Sequence, residues 1–175
     1  MATAMMIDLE TLSLMPDAYV LQIGVSIADR HTGEWVLESQ SYFIEESGQE
    51  GRRKDLDTIR FWAQQDPVVA DSVFLPTDSR YSIAESFEAI WRLVCVNNIQ
   101  EVWAGPAMFD LPVLTSLWGN KPWIYNTERD LGTIKKLFDP RGELLPPPNE
   151  MFHNAAADAR WQMQYLINLT REYHL

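Results

Sequence analysis

Apolar and polar positions divide the chain into a strand-rich beginning and a helix-rich remainder. Met5 to Glu10 reads as a first strand, Ser13 to Asp17 as a turn, and Tyr19 to Ala28 as a second β-rich run, so a hairpin follows. His31, Thr32, Gly33 and Glu34 signal the next turn, and Trp35 to Ile44 alternates well enough for a third strand. The polar stretch Glu45 to Asp55 predicts an exposed loop. It leads into a helix over Thr58 to Gln65 with Asp57 as its cap, and a short helix follows at Pro67, where proline suits a first turn.

Ser82 and Glu85 have the spacing of a capping box, and Ile83, Phe87, Ile90, Trp91 and Val94 then recur at helical intervals. Glu101 to Ala104 supplies a fourth strand broken by Gly105 and Pro106, and a helix is expected from near Asp110 to near Gly119. A further short helix is predicted over Leu131 to Phe138. The proline-containing Asp139 to Asn149 reads as a flap, and the final helix runs from Ala155 to Tyr173. Strands first, then strand and helices in alternation, imply one α/β domain with a mixed sheet over residues 1–175.

The chain has 175 residues and 46% hydrophobic content, enough for a substantial core. No apolar run approaches the ~20 residues that cross a bilayer, and the opening lacks the regions of a secretory signal, so no membrane association and a cytoplasmic location are expected. The single cysteine, Cys95, excludes an intramolecular disulfide and is assigned to packing. A net charge of -11 argues against a broad basic surface for coating nucleic acid. Acids gathered around divalent cations weaken that objection, because each ion brings two positive charges. Arg52, Arg53 and Lys54, and Lys135, Lys136 and Arg141, form local basic clusters that read as solvated surface.

The carboxylates carry the candidate chemistry. Asp8 and Glu10 lie two residues apart on a strand, so both emerge from one sheet face. By itself the pair also fits an ordinary half-exposed strand with a polar outer face; a cation between the two would relieve their repulsion, and oxygen ligands suit Mg²⁺ or Mn²⁺. Asp110 stands where a helix starts, as an N-cap or as a further ligand. Asp158 lies on the core-facing stripe of the last helix with Trp161, Gln162, Tyr165, Leu166 and Leu169, and an acid there needs a basic side chain or a metal to compensate its burial, the metal being favoured once the other acids are counted. His153 precedes Asp158 by five residues, which on a continuous helix would leave the two about 140° apart. The histidine therefore belongs before the helix, from where it can swing over the carboxylates and deprotonate a metal-bound water.

Three segments resemble the ordered motifs of the DEDDh exonucleases: Asp8-Leu9-Glu10-Thr11, the run from Trp103 to Asp110, and His153-Asn154-Ala155-Ala156-Ala157-Asp158. The chain also resembles, over nearly its whole length, phage and prophage exonucleases labelled exodeoxyribonuclease VIII-like and related exoribonuclease-like domains. Supporting stretches are Gly51-Arg52-Arg53, Thr58 to Trp62 and Arg129-Asp130-Leu131. The resemblance implies an RNase H-like fold, a mixed central sheet flanked by helices. It also implies 3′→5′ removal of nucleoside 5′-monophosphates from single-stranded DNA or RNA 3′ ends, with DNA slightly favoured, and it allows a homodimer.

By the same resemblance Asp8, Glu10, Asp110 and Asp158 would hold two ions, Mg²⁺ or Mn²⁺, with His153 as general base. The Thr11 backbone would meet the terminal 3′-hydroxyl and Leu12 would wedge against the last base. Trp62 or Phe61 would stack on it, unless they serve the core, with Phe109 also contributing to substrate binding. One departure is Ala104-Gly105-Pro106, where similar chains often carry glycine, asparagine and glycine. Two other readings compete. An inactive acidic nucleic-acid mimic needs no positioned base, whereas His153 is present. A zinc hydrolase needs close ligand spacing, which His31, His153, His174 and Cys95 lack.

Overall fold

A computed structural model describes residues 3–175. Strands β1 (Thr3–Thr11), β2 (Val20–Asp29) and β3 (Glu34–Ile44) form an antiparallel meander. After it come helices α1 (Leu56–Ala63) and α2 (Pro67–Phe74), strand β4 (Arg80–Tyr81), helix α3 (Ile83–Val96) and strand β5 (Glu101–Ala104). Helix α4 (Ala107–Trp118), strand β6 (Glu128–Asp130), helix α5 (Leu131–Phe138) and the long α6 (Ala155–Tyr173) complete the chain. The six strands lie in the order β4-β3-β2-β1-β5-β6. Strands β5 and β6 extend the sheet from β1 in parallel, and β4 joins β3 in parallel.

Alternation along β1 feeds two cores. Met5, Ile7 and Leu9 join the cluster packed against α3 and α4, whereas Ala4 and Met6 join the cluster under α6 with Met163, Leu166 and Leu169. Asp8 and Glu10 continue the α6-facing row, which is how a strand delivers two acids to a helix-covered surface. A close approach makes the delivery work. A Cβ at Gly24, which pairs with Asp8, would lie 2.0 Å from the Ala155 backbone, so only glycine lets the start of α6 rest on β2.

Several expected boundaries shift. Helix α1 starts at Leu56, so Asp57 lies in its first turn rather than at the cap, and Asp55 instead accepts a hydrogen bond from the Ser13 hydroxyl at 2.6 Å. Helix α4 starts at Ala107, which makes Asp110 a first-turn residue and not an N-cap. Pro106 occupies the position before the helix, where no backbone donor is needed, and its carbonyl accepts from Phe109 N–H at 3.0 Å. Cys95 is exposed rather than packed, because Ile90 turns into the core and the residue five positions on points elsewhere. Strands β4 and β6 were not expected. The capping box at Ser82 and Glu85 is present, with both reciprocal bonds made. Among the described residues no helix is long and apolar enough to cross a membrane.

Candidate active site

Three elements bring the four acids together. Strand β1 supplies Asp8 and Glu10, the first turn of α4 supplies Asp110, and the first turn of α6 supplies Asp158. The start of α6 is held by Gln22, whose Oε1 accepts from Ala155 N–H at 3.0 Å, and by the cap at Asn154, which accepts from Ala157 N–H at 3.3 Å. The start of α4 is held by Asp130, which accepts from Ala107 N–H at 2.8 Å and also caps α5 through Thr133 N–H at 2.7 Å. These contacts fix backbone direction, and therefore where each carboxylate points, before any ion is considered.

Within the cluster, Asp110 is 2% exposed and its Oδ2 has no hydrogen-bond partner. Burial pushes its carboxyl up to about 8, although N–H groups of its own residue and of Leu9 pull the other way. Asp8 is raised well above the usual carboxylate range by burial first, then by the neighbouring charges of Asp110, Glu10 and Asp158. Glu10 is raised for the same reasons, burial first and then Asp158 and Asp110. Burial also raises Asp158, against the His153 N–H at 2.8 Å and the Asn149 amide at 2.7 Å that donate to its two oxygens. Mutual repulsion among acids with so few donors is the electrostatic signature of a cation site.

His153 stands before α6 with φ 72°, a left-handed conformation that turns its ring back over the cluster. Glu10, His153 and Asp158 each offer a ligand atom, and those atoms all lie within 4.8 Å of one another. The ring meets Phe61 edge-on at 4.9 Å and Phe152 at 4.3 Å. Gln162, one turn beyond Asp158, donates to Asp8 Oδ1 at 2.7 Å and so orients that carboxylate.

The expected substrate residues separate. Thr11 and Phe109 line a cavity of about 420 Å³ beside Glu10 and His153. Trp62 also reaches that cavity, but it is 5% exposed and its indole N–H donates to the Thr11 carbonyl at 3.0 Å, so most of the ring is core. Phe61, 40% exposed, presents the more open aromatic face. Leu12 packs in the cluster with Tyr19, Leu21 and Val73 and does not reach the cavity; Leu14, 74% exposed, lines it instead. Sequence reasoning missed Leu14, Asn149 and a tethering role for Gln162. Only the α6 stripe hinted at the last, because Gln162 interrupts it with a polar side chain.

The profile of the 3′-5′ exoribonuclease Rv2179c-like domain matches residues 3–170. The chain belongs to that family. The family is described as a 3′-5′ exoribonuclease domain. Among curated proteins none matches. The fold is similar to Escherichia coli exonuclease I solved with single-stranded DNA and zinc, at 12% identity and a TM-score of 0.70, covering 98% of this chain and 41% of that one. It is also similar to the nuclease domain of 3′hExo, described as a DEDDh family member bound to rAMP, at 10% identity and a TM-score of 0.63, covering 98% and 92% of the two chains. A third similar structure is Schizosaccharomyces pombe Pop2p with Mg²⁺ and Mn²⁺, at 12% identity and a TM-score of 0.63, covering 98% and 84%. The RNase H-like fold is thus shared, and this domain spans only 41% of the exonuclease I chain.

Proposed function

We propose that this domain shortens single-stranded nucleic acid from its 3′ end, releasing nucleoside 5′-monophosphates, with Asp8, Glu10, Asp110 and Asp158 as ligands of two divalent ions, Mg²⁺ or Mn²⁺. The observation that carries the reading is the unpartnered, buried Asp110 Oδ2 within a four-acid cluster, since a structural acid so placed would have acquired donors. When bound, the ions would supply positive charge to the scissile phosphate and ease ionisation of the attacking water. His153, at the mouth of the cluster, takes the proton from that water as it attacks phosphorus. The bond from phosphorus to the 3′ oxygen of the next nucleotide breaks, and that oxygen takes up a proton from solvent. The products are a 5′-monophosphate and a strand one nucleotide shorter. An acidic mimic has no use for a histidine so placed.

The terminal nucleoside occupies the aromatic cavity beside Thr11, with Leu14 rather than Leu12 against its base and Phe61 and Phe109 as apolar walls. The family description favours RNA over the DNA implied by resemblance to phage enzymes. The deciding experiment digests RNA and DNA of equal sequence, each blocked at the 3′ or the 5′ end, with Mn²⁺ or with EDTA. Shortening of 5′-blocked strands that stops in EDTA is expected, whereas activity that persists in EDTA refutes the metal centre. His153→Ala is expected to lose roughly 10² to 10⁴ in rate with Mn²⁺ binding retained, and an unchanged rate removes its role as base.

A further inference from the structure

The acid cluster is flanked by two cavities that meet at Leu9, Glu10 and His153. The aromatic cavity, about 420 Å³, has no lysine or arginine in its wall. Its neighbour, about 410 Å³, is lined by Asp8 and Asp158 and also by Gly132, Trp161, Tyr165 and Lys135. Both volumes fall in the range of about 300 to 1,000 Å³ typical of small-ligand sites. Their difference in charge gives the pair a direction. A 3′-terminal nucleotide brings only the phosphate under attack, but every nucleotide upstream brings a further phosphate of its own.

Lys135 is placed for such a phosphate. It projects from the exposed side of α5, its Nζ 5.9 Å above the Tyr165 ring, and it has no carboxylate in ion-pair contact among the described residues. The other basic cluster is differently employed: Arg52 donates to the Ala18 carbonyl at 2.7 Å, Arg53 pairs with Asp17 at 3.3 Å and Lys54 with Glu46 at 3.8 Å. Trp161 is held in advance. Its indole N–H donates to the Pro147 carbonyl at 2.8 Å, and its ring lies 5.9 Å from Tyr165, half-buried at the cavity wall. An immobilised aromatic beside an uncommitted cation is the pairing that holds one base and one backbone phosphate.

We propose that the Lys135 cavity is a second nucleotide subsite, in which Lys135 meets the phosphate on the 5′ side of the penultimate nucleotide and Trp161 stacks on its base. The inference rests on the exonuclease reading above. It adds a polarity device to it: in a domain of net charge -11, a cavity-lining lysine on one side of the acids decides which way the strand lies.

The test is a cycle between the lysine and that phosphate's charge. Wild type, Lys135→Ala and Lys135→Arg are compared on a pentanucleotide with natural linkages and on one whose second linkage from the 3′ end is a neutral methylphosphonate. In wild type the neutral linkage is expected to raise KM about two- to fivefold, the scale of one exposed ion pair. Lys135→Ala raises KM on the natural strand by a similar factor, and the two changes together cost no more than either alone. Lys135→Arg restores sensitivity to the linkage, and Lys135→Ala lowers the slope of log KM against log salt by about 0.7. Full additivity of the two losses, or natural-strand kinetics in Lys135→Ala identical to wild type, overturns the subsite. A wild type that shortens no strand at all overturns the exonuclease reading itself, and the subsite with it.

Discussion

Two groups of buried or half-buried acids in this domain stand in opposite conditions. Asp139 is 4% exposed, and burial works against its ionisation, but the N–H groups of Leu144 and Glu143 and the Tyr165 hydroxyl donate to it and hold its carboxyl below the usual range. Glu101 is treated alike: burial opposes its charge, and Arg30 at 2.7 Å and the Trp103 indole more than offset that. Asp8, Glu10 and Asp110 have few such donors, and all are raised. The first group ties the fold together as it stands. The second is stable in charged form only when something positive is added, so the same residue type at similar depth serves structure in one place and chemistry in the other.

The sharpest way to break this contrast is to neutralise one acid from each group. Asp110→Asn is expected to reduce exonuclease activity to background and to abolish tight Mn²⁺ binding, while the metal-free domain melts no lower than wild type at pH 8. Asp139→Asn is expected to keep Mn²⁺ affinity and lower the melting temperature, because its donors lose a charged acceptor. Calorimetry with and without Mn²⁺ reads both, and a destabilised metal-free Asp110→Asn would erase the distinction.

A smaller effect is expected at Gln162. Removing its donor with Gln162→Leu frees Asp8 to rotate, which should weaken Mn²⁺ binding by roughly 10- to 100-fold, the usual loss when a ligand's supporting bond is removed. Retained affinity by titration would show that Asp8 is held by packing instead.

The smallest effect is on stability against pH. Asp110 titrates near 8 in the folded domain and near 3.9 when unfolded, so the folded state binds more protons between those values. Its contribution to stability is fully present below about 3.9 and is lost as pH rises through about 8. The melting temperature of the metal-free domain should therefore fall between pH 5 and pH 8 more than in Asp110→Asn, and Mn²⁺ should reverse the trend. Equal slopes for the two proteins would mean that Asp110 is ionised in the metal-free fold.

Much of this was legible in the chain because it depends on local spacing. The alternation of Asp8 and Glu10 with Ile7 and Leu9 assigns the two acids to one face whatever the sheet order. The capping box at Ser82 and the apolar stripe of α6 are likewise properties of neighbouring residues. Strands β4 and β6 were not legible, since they hold two and three residues and exist only because parallel partners pass beside them. The same limit explains the side chains whose facing was not legible. Nothing near Leu12 and Leu14 says which is buried, and the choice is made by Tyr19, Leu21 and Val73 coming from elsewhere. Nothing near Phe61 and Trp62 says which turns inward; Trp62 does, its indole N–H donating to the Thr11 carbonyl, 51 residues away in the chain.

The amino-acid sequence alone determined which residues carry charge, on what period they recur, and hence that acids from three segments share a metal-binding motif with a histidine set before the last helix. Tertiary structure alone decided how many donors each acid receives, which leucine and which aromatic face the cavity, and that Lys135 stands in the wall of the neighbouring cavity. The physical reason is that ionisation energy, burial and ion pairing depend on everything within a few ångströms of a side chain, and most of those neighbours lie far away along the chain.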